Sequence, residues 1–395
     1  MPDGTLLLTG RGRLLTPRPY DGPGPWAIFV RDGLFAWVGP LADAPAADST
    51  VDLGTALVTP GLVDAHTHPA FAGDRSDEAA ARLESAAYSG GGILRTVAAT
   101  RAASDDDLRR LIGSRLRASL GSGVTTIECK SGYGLSTNEE LRALRLIGEA
   151  ADGLAVRVVR TFLGAHAVPP EAASAADHAA VVADEMITAV AAAGLAEFCD
   201  VFCDRGFFSP SDSERVLRAA AAAGLGIRMH ADQLARTGAT ELAVRLGAVS
   251  VDHLEQLDDA GVAALASSRT VATLLPGPAL VMRDRMPPAR ALLDAGVTVA
   301  LASDANAGTF GAWGAMPLVI GLGAMLLGMT VAEAVSAATA GGAAALGLTG
   351  RRGVIAEGAD ADLVAWNAEH EGAFALNLGA VRPSRTWIGG RELSG

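Results

Sequence analysis

Lysine is almost absent from this chain: Lys130 is the only one in 395 residues, and every other basic side chain is arginine. Acidic residues outnumber basic ones, giving a net charge of -12, and no basic run occurs. This excludes the electrostatic footprint that nucleic acid or an anionic membrane surface requires, and favours a protein that stays apart in solution. No stretch approaches the roughly 18 consecutive apolar residues of a membrane helix, and no basic segment leads into an apolar one near residue 1. A cytoplasmic location is expected. The three cysteines, Cys129, Cys199 and Cys203, are too few and odd in number for a disulfide framework. Cys199 and Cys203 flank an apolar strand pattern with no other cysteine near, which suits buried thiols better than a metal pair. Apolar residues are plentiful instead: half of the chain is hydrophobic and 19% charged, enough to bury a large core.

The middle of the chain alternates. Apolar, β-branched runs at Val58–Ala65, Val124–Cys129, Val156–Leu163, Glu197–Cys203, Gly226–Met229, Ala248–Val251, Val271–Leu275 and Val297–Ala302 predict eight strands. Amphipathic stretches such as Leu141–Ala150, Val181–Ala193, Glu214–Ala223 and Ala289–Ala295 predict helices between them, and Thr137-x-x-Glu140 has capping-box spacing ahead of the first. An open doubly wound sheet competes with a (β/α)8 barrel. The barrel is preferred because polar residues gather at the C-terminal end of nearly every strand, not at one switch point. Residues 1–57 and 351–395 read differently, as short β-runs between Gly, Asp and Pro turns. We expect them to form one small β-sandwich domain beside a barrel domain of residues 58–350.

His66 and His68 stand two residues apart after the first predicted strand, so both imidazoles can reach one point. Alone, such a pair could lie on the surface. His166, His230, His253 and Asp304, however, each close a further strand-like run. His66, His68, His230 and Asp304 supply three neutral nitrogens and a carboxylate, which suits Zn²⁺ or iron with room for a water molecule that the metal would acidify. Asp304 either holds the metal or takes a proton from that water. His253 reads as a neighbour of the ligands that orients or relays a proton.

The ordered set resembles the amidohydrolase superfamily, and within it the imidazolonepropionases of histidine degradation. Arg75, Gly90-Gly91-Gly92-Ile93-Leu94-Arg95-Thr96-Val97, Cys129-Lys130-Ser131-Gly132-Tyr133-Gly134-Leu135, Gly164-Ala165-His166, His230-Ala231-Asp232-Gln233, Asp252-His253-Leu254 and Asp304-Ala305-Asn306-Ala307-Gly308-Thr309 carry the resemblance over nearly the whole chain. It implies hydrolysis of 4-imidazolone-5-propanoate to N-formimidoyl-L-glutamate with one zinc or iron ion per chain, and a homodimer is expected. It also implies that Arg75, Tyr133, His166, Gln233, Asn306, Gly308 and Thr309 contact substrate or product. The propanoate arm needs a positive partner, and Arg75 can grip it with two parallel hydrogen bonds, although by itself it could be a solvated rim arginine. His166 is expected to donate to the ring carbonyl as negative charge develops there.

The chain departs from the commonest pattern in two places. Gln233 stands where a glutamate is often found and cannot act as a carboxylate base, which throws proton transfer onto Asp304 and His253. Ala307 replaces a usual proline. The stretch between Arg82 and Gly90 looks short, so Tyr88 receives no role. Lys130 is expected in a structural ion pair or in organising the Tyr133 loop; the alternative, a carboxylated lysine bridging two metals, would imply a two-metal enzyme. A deaminase of a cyclic amidine would share the metal set but need no carboxylate grip, and a non-enzymatic barrel would lack ligands.

Overall fold

Turn residues cut the N-terminal region into short strands: β1 (Leu6–Gly10), β2 (Trp26–Arg31), β3 (Leu34–Pro40), β4 (Ser49–Asp52) and β5 (Val58–Pro60). The first four form one sheet in the order β3-β2-β1-β4. Then come eight strands that pair in parallel, each with the next: β6 (Leu62–Asp64), β7 (Val124–Lys130), β8 (Arg157–Ala165), β9 (Phe198–Cys203), β10 (Gly226–Ala231), β11 (Ser250–His253), β12 (Val271–Leu274) and β13 (Val299–Leu301). Helices such as Thr137–Ala151 and Pro210–Ala222 connect them and bury their apolar faces against the strands. The computed structural model describes residues 4–16, 24–84 and 91–393; Tyr88 and Gly90 lie outside the described residues.

The sheet curls until its first and last strands meet. Beyond β6 and β13 a parallel bridge joins Thr67 to Ala305, Asp304 N–H donates to His66 O at 2.9 Å, and His68 N–H donates to Ala305 O at 2.9 Å. One turn lower, the Asp64 carboxylate accepts from the Ser303 N–H (2.9 Å) and hydroxyl (2.6 Å). Burial pushes the Asp64 carboxyl up to about 7. The expected (β/α)8 architecture is therefore present, closed at the end where the predicted site residues lie.

The run from Val58 to Ala65, read as one strand, is two. Pro60 cannot donate a ladder bond, and at Gly61 the chain passes from one sheet to the other: Gly61 N–H bonds to Asp362 O, whereas Leu62 N–H bonds to Gly123 O in the barrel. A side chain at Gly61 would overlap Thr125. β5 thus pairs with β14 (Leu363–Trp366), which continues to β15 (Pro383–Ile388) and β16 (Arg391–Glu392), giving a second sheet of order β16-β15-β14-β5. Leu8, Trp26, Ile28 and Phe35 from the first sheet pack with Val58, Leu363 and Trp387 from the second, so both ends of the chain share one sandwich core.

A helical segment over 331–345 widens into a π turn at Ala337–Gly341 and brackets β13, the strand that leads to Asp304. Gly341 approaches so closely that a Cβ there would overlap the Val299 carbonyl oxygen, a backbone atom that cannot swing aside. Gly341→Ala is expected to destabilise the protein by about 1–3 kcal/mol, the usual cost of overpacking. Thermal unfolding tests this, and an unchanged melting temperature would show that the segment can shift away from β13.

Candidate metal centre and active site

At the closed end of the barrel the four sequence-predicted ligands converge. His66 Nε2 lies 3.2 Å from His68 Nε2, and Asp304 Oδ1 lies 3.4 Å from His68 Nε2 and 3.6 Å from His66 Nε2. His230 has a ring nitrogen within 4.8 Å of those of His66 and His68. All four residues are buried. The protons explain how such nitrogens tolerate one another. His66 Nδ1 faces the Asp252 carboxylate at 2.7 Å, and a carboxylate only accepts, so Nδ1 carries the hydrogen. Burial, with Lys130 next, holds the His66 imidazole well below its ordinary pKa, so the ring is neutral and Nε2 is a lone pair. His230 repeats the arrangement: its Nδ1 lies 3.0 Å from Asp200 Oδ2, off the line of an ideal hydrogen bond, and burial lowers its pKa too. His68 Nδ1 is buried with no hydrogen-bond partner among the described residues. Lone pairs crowded to 3.2 Å beside a carboxylate, with His66 and His230 each facing an acid behind, form a donor set that a zinc or iron ion fits.

Beneath the ligands lies a layer of charge that the sequence reading did not identify. β7, β9, β10 and β11 alternate apolar residues facing the helices with charged ones facing the barrel interior: Glu128 and Lys130, Asp200, Arg228, Asp252. All five are 0% exposed. Lys130 Nζ donates to Glu128 at 2.7 Å and Asp200 at 2.8 Å, while Arg228 Nη2 donates to Asp252 at 2.9 Å and to Ala65 O at 2.7 Å. Burial opposes the charge on each group, yet Asp200, beside His230 and Lys130, stays well below the usual carboxylate range, and Asp252 is held down mainly by Arg228. Three carboxylates face two cations; with Asp304 the count is four to two, an excess that one divalent cation balances. Lys130 therefore serves as a structural ion pair. As a metal-bridging carbamate it would be an anion pressed against two carboxylates. The signal available in sequence was charged residues beside apolar neighbours in, or just past, four of the predicted strands: Glu128 and Lys130, Asp200, Arg228 and Asp252.

Above the ligands, His68, Arg75, Tyr133, His166, His230, Gln233, His253, Asp304, Asn306 and Thr309 line one small cavity of about 40 Å³, joined by Ile93 and Phe202, which sequence reasoning had not singled out. Larger cavities occur elsewhere, one of about 740 Å³ near the opposite strand ends and one of about 580 Å³ beside His178, but neither brings several histidines together. Tyr133 packs edge-on to His166 with ring centroids 5.2 Å apart. Its loop is pinned by Glu140, whose fully buried carboxylate accepts from the N–H groups of Gly132, Gly134 and Leu135 at 2.8–2.9 Å. Glu140 is thus no capping-box residue: the helix begins after Ser136 without a side-chain cap, and Glu140 has turned from it to the loop.

Two expected roles change. His166 Nδ1 lies 2.9 Å from Gly132 O, so it carries the proton, and burial keeps the ring neutral by holding its pKa well down. Nε2 is then an acceptor, which suits a ring N–H and not the oxyanion-donor role. Asn306 Nδ2 donates to Asp304 O and Thr309 Oγ1, and its Oδ1 accepts from the N–H groups of Gly308 and Thr309, all at 2.7–2.9 Å. With every amide hydrogen and lone pair committed, Asn306 shapes the loop and has no hydrogen bond to offer a ligand.

His253 has an acidic neighbour two residues on. Positive φ values at His253 (85°) and Leu254 (73°) fold the chain back so that Glu255 Oε1 lies 3.5 Å from His253 Nδ1. Burial alone would lower the His253 pKa; Glu255, then Asp304 and Asp252, reverse this and raise it. Gln233 is placed by its backbone, whose N–H donates to the Asp204 carboxylate at 2.8 Å. The three cysteines are buried thiols as expected, with Cys203 pushed up to about 11 by burial.

Comparison with known proteins places the chain in a family. Residues 74–393 match the model of the Amidohydrolase family. An imidazolonepropionase of Nocardia farcinica is 46% identical over 390 residues, 97% of each chain, and one of Pseudomonas putida is 44% identical over 377 residues, 93% of this chain and 94% of that one. Among solved structures, an adenosine deaminase from Xanthomonas campestris with bound zinc superposes with a TM-score of 0.75 at 21% identity, over 98% of this chain and 92% of that one. Atrazine chlorohydrolase TrzN from Arthrobacter aurescens, complexed with zinc, gives 0.74 at 18% identity, over 98% and 95%. At such identities these two show the shared fold alone.

The buried charge layer gives a direct test. Lys130→Met is expected to cost about 3–5 kcal/mol of stability, because Glu128 and Asp200 would keep their charge without a partner. Denaturant unfolding of the variant measures it. A cost below about 1 kcal/mol would mean that Lys130 does not hold the layer together.

Proposed function

The chain belongs to the imidazolonepropionase family of the amidohydrolases, and from that premise we propose how its cavity opens the ring of 4-imidazolone-5-propanoate. The reaction is hydrolysis of a ring carbon–nitrogen bond in histidine degradation, giving N-formimidoyl-L-glutamate. One water adds across that bond: the carbonyl carbon gains the oxygen and becomes a carboxylate carbon, and the ring nitrogen leaves with a proton. The observation that carries the reading is that His68, His230, the Asp304 carboxylate and Arg75 line one cavity, with the His66 ring nitrogen against those of His68 and His230.

In this reading His66, His68, His230 and Asp304 hold a single zinc or iron ion. When bound, the ion supplies Lewis acidity for polarising the ring carbonyl and acidifying water. Arg75 binds the propanoate arm, and Tyr133 packs over the ring. His166 accepts a ring N–H at Nε2, which fixes the face presented to the ligands. Gln233, Gly308 and Thr309 border the substrate and orient it without transferring protons. The homodimeric, cytoplasmic state belongs to the same reading.

His253 is the proton carrier. A general acid–base group works best with a pKa near the working pH, and Glu255 gives His253 this property by stabilising its imidazolium against burial. His253 takes the proton from the attacking water and returns it to the leaving ring nitrogen, a cycle Gln233 cannot perform.

Two measurements test these assignments. Purified protein is expected to contain about one zinc or iron per chain and to remove the ultraviolet absorbance of freshly made imidazolonepropionate. Arg75→Ala should keep the metal yet lose most of this activity, since a charge-assisted contact is removed and no ligand is. A content near two ions, or an unaffected Arg75→Ala enzyme, would count against the model.

The second concerns the proton. His253→Ala should retain metal and lose on the order of 10²-fold or more in turnover, while Gln233→Glu stays active. Glu255→Gln removes the charge that raises the His253 pKa, so the imidazole loses its proton at lower pH. The rising acid limb of kcat/KM should move to lower pH in that variant. A limb that stays in place, or moves up, would assign it to another group.

A further inference from the structure

We propose that Glu78 is a positioning residue for carboxylate recognition by Arg75, an inference that rests on the reading of Arg75 as the propanoate grip. Arg75 is 4% exposed and immediately precedes the helix Ser76–Leu83. One turn into that helix, Glu78 accepts two parallel hydrogen bonds from a single edge of the guanidinium, from Nε at 2.9 Å and from Nη2 at 2.7 Å. The plane of the fork is thereby set from outside the cavity, with the Nη1 side turned toward Gly308. Two glycines make the slot in which it lies: a Cβ on Gly308 would overlap Nη1, and a Cβ on Gly92 would overlap Nη2 and the Glu78 carboxylate.

A carboxylate already bound to Arg75 would ordinarily cancel its attraction for a second one. Arg82 prevents this. One helical turn beyond Glu78, its Nη1 donates to Glu78 Oε1 at 3.1 Å and its Nη2 to Gly308 O at 2.6 Å. The trio of Arg75, Glu78 and Arg82 carries one net positive charge, and it ties the helix to the loop that follows β13. Glu78 thus orients the guanidinium, and Arg82 restores the charge that an anionic substrate needs. The Nη1/Nη2 edge, opposite the one Glu78 grips, is the one a propanoate engages when it enters.

Steady-state kinetics on the metal-loaded enzyme test this with wild type, Arg75→Ala, Glu78→Gln and Glu78→Asp. The substrates are imidazolonepropionate and the same ring bearing an ethyl group in place of the propanoate. Glu78→Gln is expected to raise KM for the propanoate substrate about tenfold or more with kcat changed much less, the scale of a misplaced binding group. Glu78→Asp should recover part of the loss, and the ethyl substrate should not distinguish Glu78→Gln from wild type. The Glu78 side chain is 24% exposed, so the variants are expected to fold, and metal content and melting temperature check this. An unchanged or lowered KM in Glu78→Gln, beside a raised KM in Arg75→Ala, overturns the inference alone and makes Glu78 a bystander or a competitor of the substrate. An unchanged KM in Arg75→Ala overturns the propanoate reading and the inference with it. Equal losses on both substrates would show a general structural effect and also overturn it.

Discussion

The ion pairs of Lys130 and Arg228 with three carboxylates inside the barrel are the constraint on which the site depends. A single charge left without its partner there costs several kcal/mol, so the five residues stand or fall as a set. Lys130 suits its place because a compact ammonium can touch Glu128 on its own strand and Asp200 two strands on, where a planar guanidinium would need more room. Two members of the set also face upward: Asp252 accepts a hydrogen bond from His66 Nδ1 and Asp200 faces His230 Nδ1. The same carboxylates that balance the buried cations therefore fix the tautomers of two imidazoles. Imidazole orientation and barrel stability share these atoms, and a change in either is felt by the other.

The layer above is held by backbone that ordinary residues adopt reluctantly. Asp232, His253, Leu254 and Asp304 all have positive φ, between 47° and 85°, and they follow or end β10, β11 and β13. Such conformations cost on the order of 1–3 kcal/mol each and persist only where the surroundings over-determine them. Here they do: Asp304 N–H is held by His66 O, Leu254 N–H by Ala231 O, and Gln256 N–H by Asp232 O. The turns send His253 and Asp304 inward at strand ends where an extended chain would carry them past the cavity. Stability spent on strained backbone is returned as fixed direction at the reacting atoms.

How much of this could be read from the sequence follows from the range of each signal. The eight-strand barrel and the four convergent ligands were legible because their pattern repeats: an apolar run, then a histidine or aspartate at its end, strand after strand. Partners chosen across the fold were not. Glu140 has the spacing of a local cap, yet three loop N–H groups offered it more than the helix end did. The resemblance gave His166 and Asn306 to the substrate; which hydrogens they have left depends on Gly132 O and on the 306–309 loop, and these are tertiary facts. Val58–Ala65 read as one strand because hydrophobicity does not change where the chain passes between sheets, and Pro60-Gly61 was the available clue. Glu255 hid for another reason: it lies beyond the end of the predicted strand, and only the left-handed turn at His253 and Leu254 makes it a partner.

Proteins of quite different activity, an adenosine deaminase and an atrazine chlorohydrolase, share this fold at 18–21% identity. The barrel cannot therefore carry the choice of substrate. Strand ends supply what hydrolysis at a metal needs, whatever the ring. Recognition of a propanoate must come from the segments laid over them. In this chain Arg75 and Glu78 lie in the long connection from β6 to β7, the Tyr133 loop follows β7, and the 306–309 loop follows β13; the first meets the third where Arg75 and Arg82 reach Gly308, and the second where Arg101 donates to Gly134 O. None of these contacts helps close the barrel. Selection for a new substrate can act on them while the charge layer, the seam and the ligands stay fixed, and that separation explains how one scaffold serves so many rings.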